Sequence, residues 1–273
     1  MKERQVNKNT GKFSQERVFR IAIVVLGILF CAAAVKIIMH YRDMHKSEDY
    51  AQKLQEAVMQ QPDAETADAS GSGEEKDVAD SAELIRIPEQ IDFASLQQIS
   101  ADAKAWIFSP GTRINYVIAQ AQDNDYYLHR LLDGTEARAG TLFLDYCNQG
   151  DFTDWNTIVY GHHMKNGSMF ASLMNYQNQS YYEEHPVMYL YLPEHRYRLE
   201  LIAGYTTGTE DPVYTIPETP EEKQQLAESV MRKSDFKTTA NVEEEDRLVT
   251  LSTCSYSYDD ARYVVIAKIA EEK

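Results

Sequence analysis

The apolar run between Val18 and Met39 constrains this chain more than any other stretch. A helix needs roughly 20 apolar residues to cross the hydrocarbon core of a bilayer, and this run is that long. Arg20 and Lys36 lie near its ends, where long basic side chains reach the membrane interfaces. A cleaved signal peptide is the alternative, but the apolar pattern continues after Lys36. We predict a transmembrane signal-anchor over residues 18–39.

The charges around this run predict its orientation. Residues 1–40 carry seven Lys or Arg and two Glu, a net charge of +5, whereas the whole chain carries −16. Basic residues stay on the cytoplasmic side, so we expect a cytoplasmic tail over 1–17 and everything after about residue 41 outside the plasma membrane. The acidic remainder argues against nucleic acid as a partner.

Residues 40–84 have the composition of an extracellular linker with two parts. Tyr50, Leu54 and Val58 recur every four residues and predict a short amphipathic helix. Residues 61–83 contain eight acidic residues, one lysine and no aromatic residue. Such a segment buries too little apolar surface to fold, so we predict a flexible acidic spacer there.

From residue 85 to 273 the composition is that of one folded, mainly β domain. Pro110-Gly111 marks a turn between two strand-like runs, and further β-rich runs with partial alternation follow. Thr219, Pro220 and Glu222 form a helix-start pattern, which predicts a helix over about 219–233. A second short helix is expected near Phe93. The sum is typical of a small β-barrel with inserted helices.

Three cysteines are present, Cys31, Cys147 and Cys254, in a spacing that suggests neither zinc nor a disulfide framework. Cys254 ends the run TLSTC, and Arg262 begins the next β run. If these strands are neighbours, both side chains face one mouth of the sheet. The alternative is a surface arginine paired with Asp259 or Asp260. Cys147 has no histidine or arginine in a recognisable relation to it and is interpreted as structural.

A cysteine nucleophile needs a base or a cation nearby, because the thiolate is the reactive form. His162 and His163 follow the run TIVYG at the end of a predicted strand, and Gly161 permits a tight exit there. A double histidine can also bind a metal, but no third ligand is in view. We therefore predict no metal and no other cofactor.

Several motifs, in order along the chain, resemble the class B sortases, cysteine transpeptidases of Gram-positive cell surfaces. The resemblance covers roughly residues 88–271. The motifs are DNDYYLHR at 123–130, AGTLFLDY at 139–146, YGHHMKNGSMF from Tyr160, TLSTC ending at Cys254, and DDARYV at 259–264. The resemblance implies a closed sortase-type barrel of about eight strands, with a helix before the cysteine strand.

The resemblance also implies roles for individual residues. Cys254 would be the nucleophile, His162 the acid and base, and Arg262 either an oxyanion stabiliser or a substrate-positioning group. His163 falls where the family varies and is interpreted as a bystander. The residues that would line the peptide groove are Asn124, Leu128, Tyr160 and Ser252, with Tyr214 and Ile216 as the opposite wall.

These roles predict a membrane-anchored transpeptidase whose partners are secreted proteins with a C-terminal sorting signal of the NPxTx or SPxTx kind. Cleavage after Thr would leave a thioester on Cys254, and an amine of a peptidoglycan precursor or a pilin would then accept the protein. Two alternatives stay open at this point. One is a hydrolytic cysteine peptidase of the same fold, and the other is a non-catalytic surface-binding module.

Overall fold

The computed structural model describes residues 10–60, 87–255 and 257–271. It divides into two compact units, Met1–Lys46 and Ser47–Lys273. The first unit contains most of a long helix, in which Arg17–Met39 is long and apolar enough to cross a membrane. At about 1.5 Å per residue, these 23 residues span roughly 34 Å, slightly more than a hydrocarbon core.

Among the described residues, the second unit combines four helices, or parts of them, with ten strands. The helices are α1 (Thr10–Val58), α2 (Phe93–Ile99), α3 (Gln179–Glu184) and α4 (Pro220–Lys233), with short 3-10 helices at Tyr126–Leu128, Ala171–Gln177 and Pro212–Tyr214. The strands are β1 (Met59–Gln60), β2 (Gln90–Ile91), β3 (Ala103–Phe108), β4 (Asn115–Ala119), β5 (Leu142–Leu144), β6 (Asn156–Tyr160), β7 (Val187–Tyr191), β8 (Arg196–Thr207), β9 (Arg247–Cys254) and β10 (Arg262–Glu271).

Eight of the strands close into a barrel in the order β10, β8, β7, β3, β4, β5, β6, β9, with β9 pairing back to β10. Two neighbouring pairs, β4 with β5 and β6 with β9, are parallel, and the other pairs are antiparallel. The predicted closed barrel of about eight strands is confirmed. The predicted turn at Pro110-Gly111 joins β3 to β4, which pair as a hairpin.

Most residues of the barrel strands are buried, and apolar residues are therefore common on both faces of the wall. Along β10, Tyr263 and Val265 face the interior core, while Val264 and Ile266 pack in the cluster that α4 covers. Such alternation is the period of two that strand geometry imposes. The predicted helix near 219–233 is α4, and Thr219 Oγ1 accepts the backbone N–H of Glu222 at its start (3.2 Å).

The end of α1 packs on the outside of the barrel. Leu54 and Val58 are buried in one cluster with Phe93 and Trp106, and Gln55 Nε2 donates to the carbonyl of Asn115 (2.7 Å). Residues 50–58 are helical, as the amphipathic pattern predicts, but they form the end of the long helix α1 rather than a separate short helix, and residues 47–60 belong to the folded unit. Their apolar face is covered by the barrel, which composition alone does not reveal. The predicted acidic spacer at 61–83 lies outside the described residues.

Candidate active site

The parallel pairing of β6 and β9 brings the predicted cysteine and histidines together. In this pair Tyr160 lies beside Ser252, and the backbone N–H of Gly161 donates to the carbonyl of Ser252 (3.0 Å). Parallel strands end at the same edge of a sheet. Cys254 is the last residue of β9, and His162 follows β6 by two residues, so both lie at this edge.

Arg262 lies directly opposite Cys254 on the antiparallel strand β10. The next pair along, Ser255 and Ala261, carries the ladder hydrogen bond (2.8 Å), so Cys254 and Arg262 form the non-hydrogen-bonded kind of pair. In such pairs the Cα atoms are about 4.5 Å apart and the two side chains lie on one face. Arg262 also lines the same cavity as the thiol, as predicted if the strands are neighbours.

The two histidines are held by backbone carbonyls on opposite sides of the site. His162 Nε2 lies 2.8 Å from the carbonyl of Leu128, and His163 Nδ1 lies 3.0 Å from the carbonyl of Cys254. A carbonyl oxygen only accepts, so each of these ring nitrogens carries a proton. In its neutral form, His162 therefore has its lone pair on Nδ1.

Burial lowers the pKa of His162 below its usual value of 6.5, and the charge of the neighbouring His129 lowers it further. The hydrogen bond to Leu128 acts in the opposite direction but does not reverse the shift. The rings of His129 and His162 stack with 5.8 Å between their centroids. The imidazole of His162 is therefore neutral near pH 7.

Asp145 accepts hydrogen bonds from two residues that form one wall of the site. Its Oδ2 accepts hydrogen bonds from Asn124 Nδ2 (2.9 Å) and from the hydroxyl of Tyr160 (3.0 Å). Burial and this carboxylate both raise the pKa of Tyr160, so its phenol stays protonated and donates. The ring of Phe143 packs against Tyr160 from behind, with centroids 5.4 Å apart.

Tyr214 forms the facing wall. Its hydroxyl lies 2.8 Å from Ser252 Oγ, and its ring stacks on Tyr160 with centroids 6.3 Å apart. Burial raises the pKa of Tyr214 to about 12, so it too is a neutral hydroxyl. The buried Asn156 fixes this segment, because its Nδ2 donates to the carbonyls of Val213 and Thr215 (both 2.9 Å).

These elements enclose a cavity of about 290 Å³. It is lined by eight of the nine residues predicted for the site, and Ile216, which is half-buried, is not among them. The eight are Asn124, Leu128, Tyr160, His162, Tyr214, Ser252, Cys254 and Arg262. Phe143, Gly161, Thr209 and Thr253 complete the lining, and sequence reasoning did not assign them to the groove.

Some of the missed residues lie inside motifs that the sequence already singled out. Phe143 is within AGTLFLDY, and Thr253 within TLSTC. Thr209 lies in a loop without any such signal. Gly161 does not adopt a positive φ, so backbone freedom is not its contribution. Instead, a Cβ there would overlap the side chains of Leu142 and Phe170.

The other two cysteines are not among the residues that line this cavity. Cys147 and Cys31 are exposed, and all three cysteines are free thiols. Among the described residues, no group of three His, Cys, Asp or Glu side chains is placed to hold a metal ion. Between described residues, no ion pair joins Arg262 to Asp259 or Asp260, and Arg262 Nη1 donates to the carbonyl of Ala261 (3.1 Å).

Comparison with known proteins identifies the class to which this barrel and its thiol site belong. Residues 107–270 match the family model of the sortase domain. The chain belongs to the sortase family.

Its relatives indicate which class of sortases the chain resembles. The sortase B of Listeria monocytogenes is 38% identical over 178 residues, which are 64% of this chain and 72% of that protein. The structure of a Staphylococcus aureus sortase B–substrate complex is 36% identical with a TM-score of 0.62, and the match covers 66% of this chain and 85% of that one. For the Bacillus anthracis sortase B in complex with AAEK1 the identity is 32%, the TM-score 0.67, and the coverage 85% and 100%. The predicted resemblance to class B sortases is confirmed.

Proposed function

We propose that this chain is a membrane-anchored cysteine transpeptidase that cleaves a C-terminal sorting signal after Thr and transfers the protein to an amine. The observation that carries the proposal is the cavity that Cys254 lines together with His162 and with Arg262, which lies directly opposite Cys254. The S. aureus sortase B, which resembles this chain, forms a complex with substrate. Because Arg17–Met39 is long enough to span a bilayer, the barrel would act at the outer membrane surface, with residues 1–17 in the cytoplasm.

The proposed chemistry proceeds in two steps. Cys254 Sγ attacks the carbonyl carbon of the Thr, and the thiol proton passes to Nδ1 of neutral His162. The amide C–N bond then breaks, the leaving amine takes that proton, and a thioester remains on Cys254. In the second step an amine attacks the thioester carbonyl carbon and His162 accepts the proton of the amine. The C–S bond then breaks, a new amide bond remains, and the departing thiolate takes the proton from His162 to regenerate the thiol.

Arg262 contributes positive charge and hydrogen-bond donors but no proton transfer, because a guanidinium stays protonated in proteins. Its position across the strand pair from Cys254 suits it to stabilise the oxyanion of the tetrahedral intermediate or to hold the peptide. Tyr160 and Tyr214, with Asn124, Leu128 and Ser252, would form the walls of the peptide groove. As in the sequence-based prediction, the acceptor would be an amine of a peptidoglycan precursor or of a pilin.

The test uses the full chain in detergent micelles, because removing residues 47–60 would strip packed helix from the barrel. The protein is incubated with NPxTx, SPxTx and LPxTx peptides, with and without triglycine or diaminopimelate, and the products are identified by mass spectrometry. Cys254→Ala, His162→Asn and Arg262→Ala are the site variants, and Cys147→Ala is the control for loss of a thiol elsewhere.

The expected result is cleavage after Thr with an amine adduct, lost in Cys254→Ala and retained in Cys147→Ala. Release of free acid alone with every amine would favour the hydrolytic peptidase. If no peptide is cleaved in a Cys254-dependent way, the proposal is wrong for these signals, and the binding module becomes the better interpretation.

A further inference from the structure

The second histidine of the pair has a contact that its neighbour lacks. His163 Nδ1 donates to the backbone carbonyl of Cys254 itself, at 3.0 Å, whereas His162 is held by Leu128. His162 lines the cavity and His163 does not. The two adjacent imidazoles thus have different hydrogen-bond partners. His163, interpreted from the sequence as a bystander, contacts the backbone of Cys254.

The position of the acceptor in the strand ladder explains what this hydrogen bond contributes. Cys254 forms a non-hydrogen-bonded pair with Arg262, so its own backbone groups point away from β10 and toward β6. On that side the last backbone rung of the parallel ladder among the described residues is Gly161 N–H to Ser252 O. Bonds in a parallel ladder recur every second residue, so the next acceptor is the carbonyl of Cys254. β6 ends at Tyr160, and the side chain of His163 supplies the donor there.

We propose that His163 is a positioning residue that fixes the backbone of the nucleophile by extending the β6–β9 ladder through its Nδ1–H. This inference rests on the proposed function, since it concerns the same thiol. His163 is itself anchored, because it forms a β-bridge with Met169 across the tight 164–168 loop. The bond therefore ties Cys254 to a loop that is closed by a β-bridge.

The structure offers both a rescue variant and a matched control. In His163→Asn the amide nitrogen takes the place of Nδ1 and can donate to the same carbonyl, whereas His163→Ala removes the donor. His185 is also half-buried, and its Nδ1 donates to the carbonyl of Pro110, likewise at 3.0 Å. His185→Ala therefore removes an equivalent hydrogen bond at a residue that does not line the cavity.

The full chain in micelles is assayed for peptide cleavage, and the rate at which iodoacetamide alkylates Cys254 is read by mass spectrometry with Cys147 as internal reference. We expect His163→Ala to lower kcat about tenfold with KM unchanged, which is the scale of one hydrogen bond. His163→Asn and His185→Ala should stay within about twofold of wild type. The acid limb of the pH profile should be the same in His163→Asn and in wild type.

Wild-type kcat in His163→Ala would overturn the proposal, as would an equal loss in His185→Ala. Failure of His163→Asn to restore activity would do so as well, because it would point to chemistry at the imidazole rather than to positioning. If wild type cleaves no peptide, the proposed function has failed, yet the alkylation rates still decide this inference. His163→Ala should then change the rate at Cys254 by about threefold or more and His163→Asn should restore it, whereas equal rates in all variants would refute it.

Discussion

Replacing Gly161 by alanine should damage the site far more than it damages the fold. A Cβ at this position would lie 2.6 Å from Phe170 Cδ2 and would also overlap Leu142 Cδ2. Both neighbours are fully buried. Carbon atoms prefer separations of roughly 3.5–4.0 Å, so something must move by about 1 Å.

Two opposing contributions determine how much Gly161→Ala changes the free energy of unfolding. Overpacking a buried site costs about 2 kcal/mol, while exchanging glycine for alanine at an ordinary φ recovers about 0.7 kcal/mol of chain entropy. We therefore expect Gly161→Ala to lower the free energy of unfolding by about 1.3 kcal/mol. The displaced backbone carries His162, and a shift of about 1 Å at a catalytic group lowers kcat/KM about a hundredfold.

Urea unfolding followed by tryptophan fluorescence measures the first effect, since Trp106 and Trp155 are the two tryptophans of the chain and both lie in the barrel unit. Peptide cleavage measures the second. Gly208→Ala is the matched control, because a Cβ there meets nothing within 4 Å.

Combining Gly161→Ala with Leu142→Ala should cost less than the sum of the two single changes, because the clash and the cavity offset each other. Strict additivity, or full activity in Gly161→Ala, would refute the steric reasoning.

Three further changes test other parts of the structure. His129→Ala removes the ring that stacks on His162 and its contribution to lowering the pKa of His162, so that pKa should rise and the acid limb of the activity profile should move to higher pH; an unmoved limb would contradict this. Leu54→Ala should lower the free energy of unfolding of the barrel by about 2–3 kcal/mol, whereas a solvated linker predicts an unchanged urea midpoint. Asn156→Ala leaves two carbonyls without donors and should lower the free energy of unfolding by about 3 kcal/mol. It should also raise the KM for peptide, because Tyr214 is held less firmly. A peptide KM equal to that of wild type would show that the groove wall keeps its position without Asn156.

Much of the barrel is readable from local sequence. Two runs around Pro110-Gly111 form the β3–β4 hairpin, and the capping pattern at Thr219 marks the start of α4, because turns and caps depend on a few adjacent residues. The motif containing Cys254 leads directly to the pairing with Arg262, since only a short loop separates β9 from β10.

What local patterns do not reveal are contacts between residues far apart in the chain. Barrel closure is needed for the hydrogen bonds that Asp145 accepts from Asn124 and Tyr160. The same is true of the hydrogen bond between His162 and the carbonyl of Leu128. The packing of Leu54 on the barrel is of the same kind, because the sequence shows an apolar helical face but not the surface that covers it.

The parallel seam between β6 and β9 also bears on how the chain folds. It joins Tyr160 to Ser252 across 92 positions of sequence, whereas Cys254 and Arg262 meet across a local hairpin. Contacts of such high sequence separation form slowly, because a long loop must close before they contribute. The β9–β10 hairpin can therefore assemble early and hold the thiol opposite its arginine, but His162 joins them only when this seam closes. Competence for the proposed chemistry should thus appear at the last stage of folding, and a partly folded chain should carry the proposed nucleophile without its proposed base.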